Sequence, residues 1–376
     1  MNRANTAQAL VLSLANPGVM QVLADGTSLI NLEQLSFYGG TGGDRVTGGA
    51  LNDEIAGNGG NDTLYGLSGN DALRGGAGND TGYGGAGNDL LYDDAGNDRL
   101  YGGDGHDSLD GFTGNDLIFG DIGNDAIFID AGEGVDTVDG GAGTDFLNLD
   151  RTGSAQAVIW SLINPAIAQI LADGTRIVNV ERMHFDGGSG NDRVTGGALE
   201  DDLSGGLGGD TLVGGAGQDD LFGGAGHDRL DGGTGVDTLR GGTGNDLFVV
   251  DSNLDLVWED AGDGIDTVQA AVDYDLTGSQ IAGLVENLVL SGAAVAATGN
   301  SLDNLLYGNL LANTLTGGAG ADGFMFRFAL TGGVDQITDF SVADDTLRLE
   351  DAVFAALTPG ALAAVDFVSG VAAADA

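Results

Sequence analysis

The sequence predicts an all-β fold, a parallel β-solenoid, and three observations carry that expectation. A nine-residue period, G-G-x-G-x-D-x-U-x with U a large apolar residue, runs through long stretches without a gap. Glycine supplies 71 of the 376 residues, against a usual share of about 7%, yet 42% of the chain is hydrophobic, far more than a solvated glycine-rich tail would carry. Of the 57 acidic side chains 49 are Asp, the short acid that sits well in turns and holds a hard cation close to the backbone.

Each unit places six turn-type residues before three with a central apolar residue, which reads as a turn followed by a three-residue strand. The apolar residue points inward and its neighbours outward. One unit cannot bury that residue alone; stacked units can. Two units, one per side, complete a flattened coil, so residues two units apart stack along a common edge.

Residues 1–38 read as a β-strand segment capping the first array, with alternating apolar residues and an Ala-Asp-Gly-Thr turn at 24–27. Residues 39–148 hold twelve units, such as GLSGNDALR (66–74) and GGAGNDLLY (84–92), with Ile129 and Asp130 inserted before the last two. Their sixth places are Asp44, Asp53, Asp62, Asp71, Asp80, Asp89, Asp98, Asp107, Asp116, Asp125, Asp136 and Asp145. The apolar eighth place is broken only by Gly82, where a local core defect is expected.

Residues 149–186 duplicate 1–38: residues 6–56 align with 154–204 at a constant offset of 148, with 28 of 51 positions identical. The apolar run near the N-terminus therefore reads as a strand rather than a leader peptide, since its counterpart at 155–162 lies mid-chain. Residues 187–249 form a second array of seven units with Asp192, Asp201, Asp210, Asp219, Asp228, Asp237 and Asp246 in sixth place. A β-rich linker at 250–298 contains Asp263 and Asp266, to which either a calcium or an Asx-turn role can be given. The third array, 299–325, is short and degenerate, with Asn304, Asn313 and then Asp322 in sixth place. Residues 326–376 read as a C-terminal cap.

Charge and composition exclude several functions. The formal net charge is −45 and all 12 bases are Arg, so there is no electrostatic footprint for nucleic acid or an anionic membrane surface. Without Cys there is no disulfide framework, zinc–thiolate site or thiol nucleophile. No apolar run reaches the length of a membrane span. Sixth-place carboxylates two units apart, such as Asp44, Asp62 and Asp80 on one edge and Asp53, Asp71 and Asp89 on the other, would stand about 4.7–4.9 Å apart and repel unless a cation lay between them. Calcium accepts 6–8 oxygen ligands, carboxylate and carbonyl, in flexible geometry, whereas magnesium is smaller and keeps its waters. Multiple calcium ions are thus the expected cofactor.

These nonapeptides resemble the RTX (repeats-in-toxin, hemolysin-type) family, whose units form calcium-loaded parallel β-rolls in bacterial proteins exported by type I secretion. The resemblance covers about 200 residues directly. It implies a β-roll with two long arrays and one short, and carboxylate ligands at the matching sixth-place aspartates, Asp44 to Asp322. It further implies an extracellular location reached without a cleavable N-terminal signal, the type I machinery as a partner, and a secretion-signal region within 326–376. Asn304 and Asn313 depart from the pattern, a neutral amide being a weaker ligand.

No catalytic constellation accompanies the repeats. His106, His184 and His227 form no H-E-x-x-H, no G-x-S-x-G elbow occurs, and the glycine-rich loops lack the Lys of a phosphate cradle. Glu33 and Glu181 recur at matching places, where an ordinary surface acid is the favoured reading over a calcium or turn-bonding role. Arg45 and Arg193 read as surface charges beside Asp44 and Asp192. The expectation is a secreted, non-catalytic calcium-binding protein that folds on binding its ions. The alternatives are the calcium-binding secretion module of a larger RTX protease, lipase or toxin, and an adhesin.

Overall fold

The computed structural model describes residues 7–23, 28–259, 264–278, 280–327 and 334–349. These residues form a parallel β-solenoid of about 16 turns without a helix. No helix is therefore long and apolar enough to cross a membrane. The turn at 24–27, Asp263 and the C-terminal stretch 350–376 lie outside the described residues.

Two walls face one another across a narrow core. One wall begins as a nine-stranded sheet running from Val11–Ser13 through Thr137–Asp139 to Arg176–Val178. A ten-stranded sheet from Ile159–Ser161 to Thr346–Leu349 serves the second array and the segments after it. The opposite wall is a thirteen-stranded sheet from Ser36–Tyr38 to Ile281–Ala282, which crosses the duplicated segment without a break because Phe146–Asp150 pairs with Arg182–Asp186. A four-stranded sheet from Tyr274–Asp275 to Gln336–Ile337 completes the architecture.

The two-unit coil sets the register. Leu64 pairs with Gly82 and Gly82 with Leu100 on one wall, and Leu73 with Leu91 and Leu91 with Leu109 on the other. Every pairing is parallel except two short hairpins, Gln21–Val22 with Ser28–Leu29 and Gln169–Ile170 with Arg176–Val178. These occupy equivalent places in the two copies of the duplicated segment. Each copy also opens its wall in the same way, with Leu12 against Val46 and Trp160 against Val194.

Eighth-place residues form the core, and Val46, Leu91, Leu109, Ile118 and Ile127 are completely enclosed. The inserted pair Ile129 and Asp130 widens the coil. Ile127 and Ile129 both turn inward, stacked on Leu147 and Leu149 and then on Met183 and Phe185. At Gly82 the neighbours close in: a methyl there would meet Leu91 Cδ2 and Leu100 Cδ2 at 3.5 Å each.

Many strands keep three residues, such as Leu90–Tyr92 and Ser108–Asp110, but others are longer. Arg99–Gly105 and Leu117–Gly123 each span seven, because the ladder continues through the opening of the next unit, with Gly103 on Asp121 and Gly105 on Gly123. Backbones approach closely here. A Cβ at Gly96 (φ +155°) would stand 1.4 Å from the Gly78 carbonyl oxygen. Most second-place residues within the arrays adopt positive φ, at +83° for Leu67, which has replaced the usual glycine. On the outer surface Tyr65, Tyr83, Tyr101 and Phe119 stack ring on ring at 4.9, 4.8 and 5.1 Å between centroids.

Candidate metal centre

All twenty sixth-place aspartates are buried, none more than 4% exposed. The turn holds each one by its Oδ1, which within an array accepts the backbone N–H of the sixth-place residue two units earlier. At the array starts, Oδ1 of Asp44, Asp53, Asp192 and Asp201 accepts instead that of Leu10, Leu35, Val158 and Met183. On one edge Asp44 donates to Asp62 at 2.5 Å, Asp62 to Asp80 at 2.6 Å, Asp80 to Asp98 at 2.7 Å, Asp98 to Asp116 at 2.8 Å and Asp116 to Asp136 at 2.9 Å. The other edge runs from Asp53 through Asp71, Asp89, Asp107 and Asp125 to Asp145 at 2.6–2.9 Å. The second array repeats both chains, Asp192 to Asp210 to Asp228 to Asp246 and Asp201 to Asp219 to Asp237. Asp322 accepts from Asn304 at 2.9 Å.

The second oxygen has no such partner. Among the described residues, Oδ2 of Asp62, Asp71, Asp89, Asp107, Asp116, Asp125, Asp145, Asp210, Asp219, Asp228 and Asp237 is buried with no hydrogen-bond donor, and so are those of Asp80, Asp98 and Asp246. Buried anionic oxygens without a partner are strongly destabilising. Several lie beside a backbone oxygen of the next turn: a Cβ placed on Gly66 would lie 2.3 Å from Asp71 Oδ2 and 2.5 Å from the Gly84 carbonyl. The spot between turns is lined by oxygen, the donor chemistry of a hard cation. Asp53 and Asp201, at equivalent places near the start of each array, differ. Their Oδ2 accepts the N–H of Gly49 at 2.6 Å and of Gly197 at 2.7 Å.

Electrostatics agree with this picture. Burial, reinforced by neighbouring carboxylates, pushes Asp62, Asp71, Asp116, Asp125, Asp210 and Asp219 up to about 7. The same causes raise Asp98, Asp107 and Asp145 to about 6. Keeping these groups ionised in the folded chain requires a compensating positive charge.

Several members lie outside the two long arrays. Asp255 and Asp266 extend the edges, accepting from Asp237 at 3.2 Å and Asp246 at 2.8 Å. Asp255 stands in no recognisable nonapeptide, and a two-residue insertion puts Asp266 out of register. Glu181 is no ordinary surface acid: its Oε2 accepts from Asp145 at 2.9 Å and ends an edge, as Glu286 does for Asp266 at 2.8 Å. Glu33 is exposed as expected. Asp93 and Glu259, both buried, stand where the repeat has its first glycine.

The amides of the third array show the same turn satisfied differently. Asn304 Oδ1 accepts from Asn300 at 2.7 Å, and its Nδ2 donates to the Glu286 carbonyl at 3.0 Å. Asn313 likewise accepts from Asn309 at 2.8 Å. The oxygen that most aspartates leave bare beside the first-place glycine here accepts a backbone N–H, as Oδ2 of Asp53 and Asp201 does.

The histidines also have plain structural roles. Fifth-place Asn side chains accept the N–H of the fifth-place residue two units later, as Asn70 does from Asn88 at 3.0 Å. His106 Nδ1 and His227 Nδ1 replace Asn in this ladder, accepting from Asn124 at 2.9 Å and Asn245 at 2.8 Å. His184 sits between Asp186 at 3.0 Å and Asp202 at 2.9 Å. Arg45 turns from Asp44 to Tyr65, lying over its ring at 4.5 Å and donating to its hydroxyl at 2.9 Å.

No curated protein matches this chain. The family model of the RTX calcium-binding nonapeptide repeat (4 copies) matches residues 38–73, 57–91, 74–109, 92–127, 128–150, 184–212, 195–230, 213–248 and 298–325. Together these stretches cover more than half of the chain, and they coincide with the turns whose aspartates line the two edges. The protein belongs to the RTX calcium-binding nonapeptide repeat family.

Proposed function

We propose that the sixth-place aspartates hold calcium between successive turns along both edges and that the protein folds as it loads. One observation carries this reading: the buried Oδ2 atoms that face turn carbonyls without any donor. A bound calcium would supply the missing positive partner and two charges per ion, on the order of a dozen ions over the two long arrays. Without calcium, the dense carboxylate charge opposes condensation of the coil, so binding free energy becomes folding free energy. Asp53 and Asp201 contribute less, since backbone N–H groups already occupy their second oxygens. Asn304 and Asn313 carry no charge, and their side-chain oxygens already accept backbone N–H groups, so the third array needs little calcium.

The chain is further proposed to be exported by type I secretion and to condense in calcium-rich extracellular fluid, acting as a scaffold without catalysis of its own. Far-ultraviolet circular dichroism with calcium and with excess chelator tests the coupling, alongside a count of bound ions by equilibrium dialysis. The expected outcome is little β-structure in chelator and a cooperative gain on calcium addition. A chain fully β in chelator, or one that retains no calcium, would overturn the reading.

A further inference from the structure

Two turns carry an acid at the same place of the repeat, one near each long array. Asp93 takes the first place of unit 93–101, where glycine is the rule, and Glu259 stands 18 residues after Gly241, in the equivalent position. Neither side chain points to solvent: Asp93 is 1% exposed and Glu259 6%. Both reach back toward the preceding turn on their own edge. A Cβ on Gly75 would lie 2.0 Å from Asp93 Oδ1, and one on Gly241 would lie 2.4 Å from Glu259 Oε2.

Each acid thereby joins two sixth-place aspartates. One oxygen from each of Asp80, Asp93 and Asp98 falls within 4.8 Å of the other two, and the same holds for Asp246, Glu259 and Asp266. Asp93 Oδ1 accepts the Gly76 N–H at 2.8 Å, which fixes its orientation. The Oδ2 atoms of Asp80, Asp98 and Asp246 remain buried without any donor. A regular gap in this protein brings together carboxylates from two turns; these two gaps add a third.

We infer that the Asp80–Asp93–Asp98 and Asp246–Glu259–Asp266 gaps are the tightest cation sites of the chain, filling before the regular gaps. This rests on the calcium reading above and deepens it. Affinity in all-oxygen calcium sites rises with the number of ligand charges. A third buried carboxylate adds attraction to a dication and leaves a larger repulsion to be relieved when the ion enters. Glycine, by contrast, contributes no side-chain ligand at this place. The turns flanking each gap would order first, and neighbouring turns would add to them as calcium rises.

Calcium titrations of the full chain against a chromophoric chelator test this, comparing the native protein with Asp93→Gly, Glu259→Gly and the double variant. Each substitution restores the residue of the regular repeat, and dichroism at saturating calcium verifies the fold. Asp93→Asn and Glu259→Gln remove the charge while keeping the side-chain size. We expect a tight class of two ions, about tenfold or more tighter than the remainder, reduced to one ion in each single variant and to none in the double. The charge-removing variants should behave likewise. A tight class unchanged by every variant, as expected if the three acids merely share a proton, would overturn the inference while leaving calcium binding intact. A native chain that takes up no calcium would instead refute the broader reading.

Discussion

Replacing Gly82 with alanine should stabilise the calcium-loaded roll. The position is buried, its φ is not in the left-handed region, and the new methyl would meet Leu91 Cδ2 and Leu100 Cδ2 at 3.5 Å, ordinary van der Waals contact. Burying one methyl group is worth about 0.8 kcal/mol. Restricting the unfolded chain at a former glycine adds roughly 0.4–1 kcal/mol. The sum is about 1–2 kcal/mol, and none of it requires a neighbour to move. Gly82→Leu is the informative contrast. The two leucines already lean over the position, so a full side chain must displace them and should gain less than alanine despite its larger apolar surface. Urea unfolding at saturating calcium, followed by far-ultraviolet dichroism, measures both. Repeat proteins need not unfold in one step, so the transition that reports the first array is the one to compare. An alanine variant less stable than the native chain would refute the reasoning, as would a leucine variant that outperforms it.

Gly96→Ala should do the opposite, because its Cβ would fall 1.4 Å from a backbone oxygen that belongs to the adjacent turn. A loss of about 3 kcal/mol, the upper end of overpacking costs, should appear as a higher calcium midpoint for folding. Leu67→Gly relieves a left-handed conformation at a residue 38% exposed, for a net gain of up to about 1 kcal/mol in the same urea assay. In chelator, acidification should substitute in part for calcium. Folded-state values raised to about 7 at Asp62, Asp71, Asp116 and Asp125 mean that the folded chain binds protons more tightly than the unfolded one. Their contribution is fully present below the unfolded value near 4 and is lost as pH rises through about 7. Dichroism of the calcium-free chain should therefore show β-structure growing from pH 8 to pH 5; a flat profile would contradict the burial argument.

Much of this architecture is legible in the nine-residue period. The period alone places Val46, Leu64 and Leu100 in one inward stack and aligns Asp44, Asp62 and Asp80 on one edge, because two units per turn leave no other register. Strand length is less legible. Glycine carries no strand signal, yet Gly103 and Gly105 remain in the ladder because bare backbones can pair where side chains would collide. The edges themselves run past the pattern. Asp255, Asp266, Glu181 and Glu286 perform the aspartate's backbone-binding role from segments outside the two long arrays, where the glycine pattern that marks a turn has faded even though Asp255 still falls 18 residues after Asp237. Asp93 sits in plain view within unit 93–101, but a reading keyed to the sixth place passes over an acid in the first. Its position becomes informative only when the Gly75 turn is seen to lie against it.

The stack of Tyr65, Tyr83 and Tyr101 gives the protein a built-in optical probe. Tyr83 and Tyr101 follow Asp80 and Asp98 by three residues, so their rings, 4.8 Å apart and 7° from parallel, bridge the same two turns as the Asp80–Asp93–Asp98 gap. Phenol rings this close couple their electronic transitions, and the coupling disappears when the turns separate. The near-ultraviolet exciton signal of this stack therefore reads out the docking of the three successive turns that carry Tyr65, Tyr83 and Tyr101, with no label attached and no averaging over the rest of the solenoid's backbone.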